Sequence, residues 1–381
     1  MKKFILLLGL FAATSVIYAQ EPILGAVSKE VAGKEAVISG VPHQAAYVPS
    51  FKCDGTNARI RNVILLIGDG MGLGHVASSY FANGGELTMT SLRSMGYVCT
   101  QSANNFTTDS AASGTAYATG KKTNNRRLGT DPDGKPVTNI PEILVPAGYA
   151  AGVVSTDDVH GATPAAFFAH QPDRKMVAEI WGDIPSSYLS FISAGDRKVY
   201  GKQAEATRKA IEEKYKVIYE PSGYDSAAER LIYLPPTVKV GERGDYLPET
   251  TQMAIDFLSA KSKKGFFLMV EGARIDKEAH GNRLDGVVGE TLDFDKAIEV
   301  AVRFAEKDGH TLVIISADHE TGGMTLKSGN QEPGTVGAVF SSKGHTPCFV
   351  PLFAYGPHSR DFACIQQNSD VANKILSLMK H

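Results

Sequence analysis

The chain has 381 residues, 39 basic and 41 acidic side chains, and a formal net charge of −2. That balance excludes a broad basic surface for nucleic acid. The length is ample for a large buried core in one domain or two.

The first segment reads as an address and not as part of a fold. Lys2 and Lys3 precede the apolar run 4–13, and Ala19 closes it just before Gln20. This is the order of a secretory signal, with removal expected after residue 19. The run is too short to span a membrane, which takes about 20 residues. Lys2 and Lys3 leave with it, so the remaining chain carries 37 bases against 41 acids, a net of −4. A soluble, periplasmic or secreted protein is expected. Four cysteines, Cys53, Cys99, Cys348 and Cys364, show no C-x-x-C spacing, which argues against a thiolate zinc site. They are expected as buried thiols, with at most one bridge between Cys348 and Cys364.

Residues 20–61 lack periodicity and read as a leader packed on the surface. The runs 63–68, 266–270, 311–316 and 351–355 are short, apolar and unalternating, so they read as strands of a sheet covered on both faces. Helical patterns occupy 109–120, 249–262 and 291–308, the last stopping before Gly309. Strands alternating with helices give an α/β fold, a three-layer α/β/α sandwich around a large, mostly parallel sheet. The polar stretch 183–248 reads as an insertion lying over the sheet, within one catalytic domain spanning 62–381.

Three of the strands end in groups that bind cations. Asp69 follows the first. Glu271, Asp276 and His280 follow the second. Asp318 and His319 follow the third. One acid after a strand is ordinary turn chemistry. Three such ends, two with histidine, point to the ligand edge of an open α/β sheet. Asp276 and His280 are four apart and share a helix face. Imidazole with carboxylate suits zinc; carboxylates alone suit magnesium. Ser110 opens the Ala-rich helix. Alone it reads as a cap. Beside a metal it becomes a candidate nucleophile, at a helix end that attracts anions.

The ordered segments Asn62–Leu73 (NVILLIGDGMGL), Thr108–Lys121 (TDSAASGTAYATGK), Ala162–Gln171 (ATPAAFFAHQ), Glu271–Gly281 (EGARIDKEAHG), Thr311–Met324 (TLVIISADHETGGM), Gly344-His345-Thr346 and Phe353–His358 (FAYGPH) resemble the alkaline phosphatase family, in its compact bacterial form. The resemblance implies hydrolysis of small phosphomonoesters through a phosphoserine intermediate, at two Zn2+ and one Mg2+. It places the first zinc on Asp276, His280 and His345. The second falls on Asp69, Asp318 and His319, with Ser110 as nucleophile. The magnesium falls on Asp69, Thr163 and Glu271. Arg174 matches the phosphate-binding arginine, whose planar fork can hold two oxygens. Lys277 matches a lysine that contacts phosphate in some members. A homodimer is also implied, with no membrane span and no nucleic-acid surface.

The pattern is broken at Gly161, where the family carries Asp or His two residues before the threonine. Lys277 is therefore expected to lack its companion acid. Related hydrolases that cleave diesters, sulfates or phosphonates share the two-metal core. The absence of a C/S-x-P-x-R segment speaks against a sulfatase. Arg174 with Thr163 and Glu271 speaks against a diesterase. A non-catalytic phosphate- or metal-binding protein is the third reading, disfavoured by so complete a ligand set.

Overall fold

The computed structural model describes residues 34–195, 197–239, 242–330 and 334–380. The export signal read in residues 1–19 lies outside the described residues. Ten strands form the central sheet. In spatial order they are Ile365–Gln367, Ser94–Cys99, Val350–Tyr355, Thr311–Ser316, Asn62–Gly68, Phe266–Gly272, Ala150–Ser155, Phe191–Ser193, Leu231–Tyr233 and Lys216–Ile218. Val350–Tyr355 runs antiparallel to both neighbours, and every other pairing in this sheet is parallel. Helices cover both faces, so the expected α/β sandwich is what forms. The central strands are buried along their whole length, which is why they show no alternation in sequence.

Register carries the site. Ile67 lies opposite both Glu271 and Ser316, and Ser155 also lies opposite Glu271. Four neighbouring strands therefore end at one level, and their following residues meet at one edge.

The helix Ser110–Thr119 is wholly buried and built from small residues. Gly114 shows why: an added Cβ would sit 3.3 Å from Ala166 Cβ. The helix packs on Asn368–Met379 and on the short turn Ala162–Ala165. Leu284–Asp308 packs against Tyr246–Lys261 and Leu73–Ala82. It begins seven residues before its sequence pattern did, because Gly286 and Gly289 dilute the helical signal there. It ends on Gly309 at φ 71°, where a left-handed residue closes the last turn.

Two expectations need correcting. Residues 183–248 do not lie over the sheet. They supply its strands 191–193, 216–218 and 231–233, each too short for a periodicity signal. The cysteines are all free, and Cys348 and Cys364 are exposed, not buried or bridged. The described part of the leader is held by pairing: Ala36–Ile38 adds to the hairpin of Met324–Asn330 and Thr335–Phe340.

A buried ion triad ties the turn before the helix Tyr246–Lys261 to the helix Leu284–Asp308. Arg243 Nη2 lies 2.5 Å from Glu290 Oε2 and 2.6 Å from Asp293 Oδ2, with the arginine side chain 2% exposed. Arg243→Met would leave two buried acids without their cation. It is expected to lower unfolding free energy by about 3–5 kcal/mol, read by denaturant titration.

Candidate active site

Two clusters of ligand-type atoms form at the strand ends, each with its members within 4.8 Å of one another: Asp276, His280 and His345, and Asp69, Asp318 and His319. In the first, Asp276 Oδ1 lies 3.3 Å from His280 Nε2 and 3.6 Å from His345 Nε2. In the second, His319 Nε2 lies 3.4 Å from Asp69 Oδ1 and 3.1 Å from Asp318 Oδ2. These six are six of the sequence-derived ligands. His345 arrives through a small antiparallel pairing, Thr321 opposite His345 and Glu320 opposite Thr346. The His319 and His345 rings stack between the clusters, with centroids 3.5 Å apart.

The outer partners set the histidine tautomers. His345 Nδ1 donates to the Thr108 carbonyl at 3.0 Å, and His280 Nδ1 donates to the Lys343 carbonyl. Thr321 Oγ1 donates to Asp276 Oδ1 at 2.6 Å, so it accepts from His319 Nδ1 at 3.2 Å. Each ring thus turns Nε2 inward, the nitrogen that ligates metal once it gives up its proton. Asp318 Oδ1 is occupied by the N–H groups of Gly70 and His319, at 3.1 and 2.9 Å. Its Oδ2 is buried with no hydrogen-bond partner, and so are Asp69 Oδ1 and Thr163 Oγ1. Unsatisfied buried oxygens of this kind are costly unless a cation meets them. The residues present therefore fit divalent cations.

Electrostatics says the same. Burial, then Asp318, Asp276 and Glu271, hold Asp69 well above the usual carboxylate range. Burial, then Asp157, push Glu271 up to about 8. For Asp276 burial is outweighed by the His280 bond and by His319 and His345, and the group sits far below its usual value. His280 is raised to about 9, chiefly by its bond to Asp276. Without metal, a proton on His280 stands where a cation would be. Two acids driven up and two, Asp276 and Asp318, driven down within one site form a pattern found at functional centres.

Ser110 is the first residue of its helix, and its Oγ lies 3.2 Å from His319 Nε2. Asp109 caps the helix by accepting from Ala112 N–H at 3.0 Å. Ser113 Oγ donates to the Asp318 carbonyl at 2.6 Å and ties the helix to the metal-binding loop. Thr163 sits in the turn 162–165, beside Glu271. Ser155 Oγ donates to Glu271 Oε2.

Arg174 Nη1 lies 3.4 Å from Asp109 Oδ2, and the arginine's charge reaches Asp69. Its backbone N–H donates to the Arg126 carbonyl at 2.7 Å. Arg126 holds φ 77°, and its own N–H reaches both oxygens of Asp109 at 3.0 Å. Asp109 thus joins nucleophile helix and arginine, a role that its capping position alone did not reveal.

Lys277 corrects the sequence reading. It does not lack a companion acid: Asp157 is its partner. Burial pulls Lys277 down, but Asp157 outweighs it and the ammonium titrates above its ordinary value. Asp157 was legible by the same rule as the others, an acid just past a strand. The strand before it, AAGVVS, was too poor in large apolar residues to be recognised.

With this geometry in hand, the likenesses to known proteins are specific. The profile of the family described as alkaline phosphatase matches residues 60–194 and 241–339. Alkaline phosphatase 4 of Bacillus subtilis (strain 168) is 34% identical over 326 residues, covering 77% of this chain and 68% of that protein. Alkaline phosphatase of Escherichia coli (strain K12) is 29% identical, covering 82% and 84%. The solved alkaline phosphatase from the Antarctic bacterium TAB5 matches with a TM-score of 0.78 at 34% identity, covering 84% of this chain and 98% of that one. A mutant of that enzyme has Mg bound in its M3 site.

The loop that carries Arg174 is braced by a second histidine. His170 Nδ1 and Nε2 face the Gly129 carbonyl at 2.7 Å and Glu142 Oε1 at 2.9 Å, so both nitrogens donate and the ring is an imidazolium. Burial lowers His170, but Glu142 and Gly129 outweigh it and its pKa is raised. Burial raises Glu142, but its bonds to His170 and Asn139 outweigh it and its pKa is lowered. The histidine part of this stabilisation is complete below about pH 6.5 and is lost as pH rises through the raised value. The difference in unfolding free energy between wild type and His170→Gln is therefore expected to shrink as pH rises, in denaturant titrations at several pH values. A difference independent of pH would contradict the charged bridge.

Proposed function

Because the chain belongs to the alkaline phosphatase family and is a phosphomonoester hydrolase, we propose that it works through a covalent phosphoseryl intermediate on Ser110. The observation that carries this reading is Ser110 Oγ at a buried helix start, 3.2 Å from His319 Nε2 of the Asp69–Asp318–His319 cluster.

One Zn2+ would be held by Asp276, His280 and His345. A second would be held by Asp69, Asp318 and His319, together with the oxygen of Ser110. One Mg2+ would be held by Asp69, Thr163 and Glu271. When bound, these cations supply Lewis acidity, lowering the pKa of the serine hydroxyl and of water and neutralising charge on the phosphoryl group.

The protein's own groups do the positioning. Arg174 offers two parallel N–H donors to non-bridging phosphate oxygens. Asp109 holds that fork in register with Ser110. The N-terminus of the 110–119 helix favours the anion. Ser110 Oγ gives up its proton to water and attacks phosphorus in line; the Oγ–P bond forms as the ester P–O bond breaks, and the leaving oxygen takes a proton from water. Water then attacks the phosphoserine from the vacated side. The Oγ–P bond breaks, and phosphate and free Ser110 result. Lys277 lies at the rim as a further phosphate contact. Catalysis here is mostly alignment and charge neutralisation.

The signal pattern of residues 1–19 supports export to the periplasm or medium, and the resemblance to the family supports a homodimer. Among the described residues no helix is long and apolar enough to cross a membrane.

Ser110→Ala is expected to lower kcat on a chromogenic monoester by about a thousandfold or more, and to abolish acid-trapped phosphoenzyme. Phosphoenzyme formed at wild-type levels in this variant would place the nucleophile elsewhere. Dialysis against a chelator is expected to remove activity, with recovery on adding Zn2+ and then Mg2+. Elemental analysis of the recovered protein should find two zinc and one magnesium per chain. Full activity in a metal-free preparation would refute the cation assignment.

A further inference from the structure

Asp157 and Asp158 follow the 150–155 strand, at the sheet edge where Asp69 and Asp318 also lie. Asp157 is turned toward the site. Its carboxylate pairs with Lys277 Nζ, and its side chain is 22% exposed. Its backbone N–H donates to Ser155 Oγ at 2.8 Å, and that hydroxyl donates on to Glu271 Oε2. The Asp157 carboxylate therefore touches the lysine of the phosphate rim, while its backbone reaches the acid of the third cation position only through Ser155. The Asp157 carbonyl accepts from Gly195 N–H at 2.5 Å, so the turn itself is anchored from behind.

The other carboxylate oxygen fills a space that a side chain at position 161 would need. A Cβ built on Gly161 would lie 2.6 Å from Asp157 Oδ2, 2.8 Å from the Asp158 carbonyl and 3.0 Å from Asp157 Cγ. Gly161 has φ −52° and ψ 146°, which any L-residue adopts. Glycine is thus not demanded there by backbone conformation. It is demanded by space, and the nearest occupant of that space is a carboxylate. Positions 157 and 161 are alternative origins for one acid, and this chain uses 157.

We propose that Asp157 is a positioning residue that supplies, from the turn after the 150–155 strand, the single carboxylate that anchors Lys277 and steadies Glu271, in place of a side chain at position 161. The inference rests on the reading that Lys277 faces the substrate phosphate and that Glu271 helps hold a magnesium ion. It has two consequences of opposite sign. Asp157 draws Lys277 away from phosphate and adds negative charge beside it, so it weakens phosphate binding. Its negative charge beside Glu271 supports a cation there, so it strengthens magnesium binding. A residue that merely kept the turn folded would move both affinities the same way, or neither.

The test is isothermal titration calorimetry on full-length, zinc-loaded enzyme. Magnesium is titrated first, and inorganic phosphate is then titrated at saturating magnesium. Asp157→Asn, which keeps shape and loses charge, is expected to weaken magnesium binding about tenfold or more, the scale for losing an outer partner of a metal ligand. Phosphate is expected to bind about two- to fivefold more tightly, the scale of a half-exposed ion pair. Asp157→Glu, which keeps the charge, is expected to lose less magnesium affinity than Asp157→Asn. Thermal melts of each variant confirm that folded protein is compared.

Unchanged affinities for both ligands in Asp157→Asn would overturn the inference. So would a parallel loss of both. Lys277→Ala separates the layers. If it leaves phosphate affinity unchanged, the phosphate reading of Lys277 fails and takes that half of the inference with it. If it weakens phosphate binding while Asp157→Asn has no effect, the role of Asp157 alone is wrong.

Discussion

Everything about this site follows from crowding carboxylates out of water. Asp69, Glu271, Asp276 and Asp318 are all buried and within range of one another's charge. In a low-dielectric interior that repulsion is large, and water is not there to screen it. The fold offers three inward-facing imidazole Nε2 atoms, one arginine at the rim and one lysine already committed to Asp157. These do not neutralise the set. Buried oxygens on Asp69, Asp318 and Thr163 are left over, and cations are the partners their chemistry calls for.

The sheet makes that crowding unavoidable. Parallel strands in common register all present their C-terminal ends at one level, so the residue after each strand is delivered to the same place. Ser110 arrives from the other direction, on a helix built almost wholly of small residues that is sunk completely into the molecule. Its cap, Asp109, also faces Arg174 and the strained backbone of Arg126. Ser110 and Arg174 are thus set by one carboxylate, so their spacing does not depend on two separate loops.

Much of this was legible in the linear chain. The strands 62–68, 266–272 and 311–316 are long apolar runs, and their terminal acids and histidines stand out against them. The Ala-rich stretch after Asp109 reads as a helix, and it is one. Other parts were hidden for physical reasons. Ala150–Ser155 is flat and poor in large side chains because it packs between neighbours on both sides and under helices, as at Gly152, where a Cβ would touch Leu258 and Phe191. The strands of 183–248 have three residues each, below the length at which alternation can be seen. The relation of Asp157 to Lys277 joins residues 120 apart and has no local signature.

What the sequence by itself determined is the chemistry: the residue types at the strand ends, their order and the spacing of Asp276 from His280 are local properties, written in runs a few residues long. That was enough for the reaction class and for proposing a ligand set. What only the tertiary structure decided is which charge answers which. Lys277 and Asp157, Arg174 and Asp109, and the tautomers fixed by Thr108, Lys343 and Thr321 are all contacts between distant segments. Such pairings depend on distance and burial in three dimensions, because a charge's energy is set by its surroundings and not by its neighbours along the chain. The glycine at 161 shows the difference: in the sequence it is a missing acid, and in the fold it is the space that a different acid occupies.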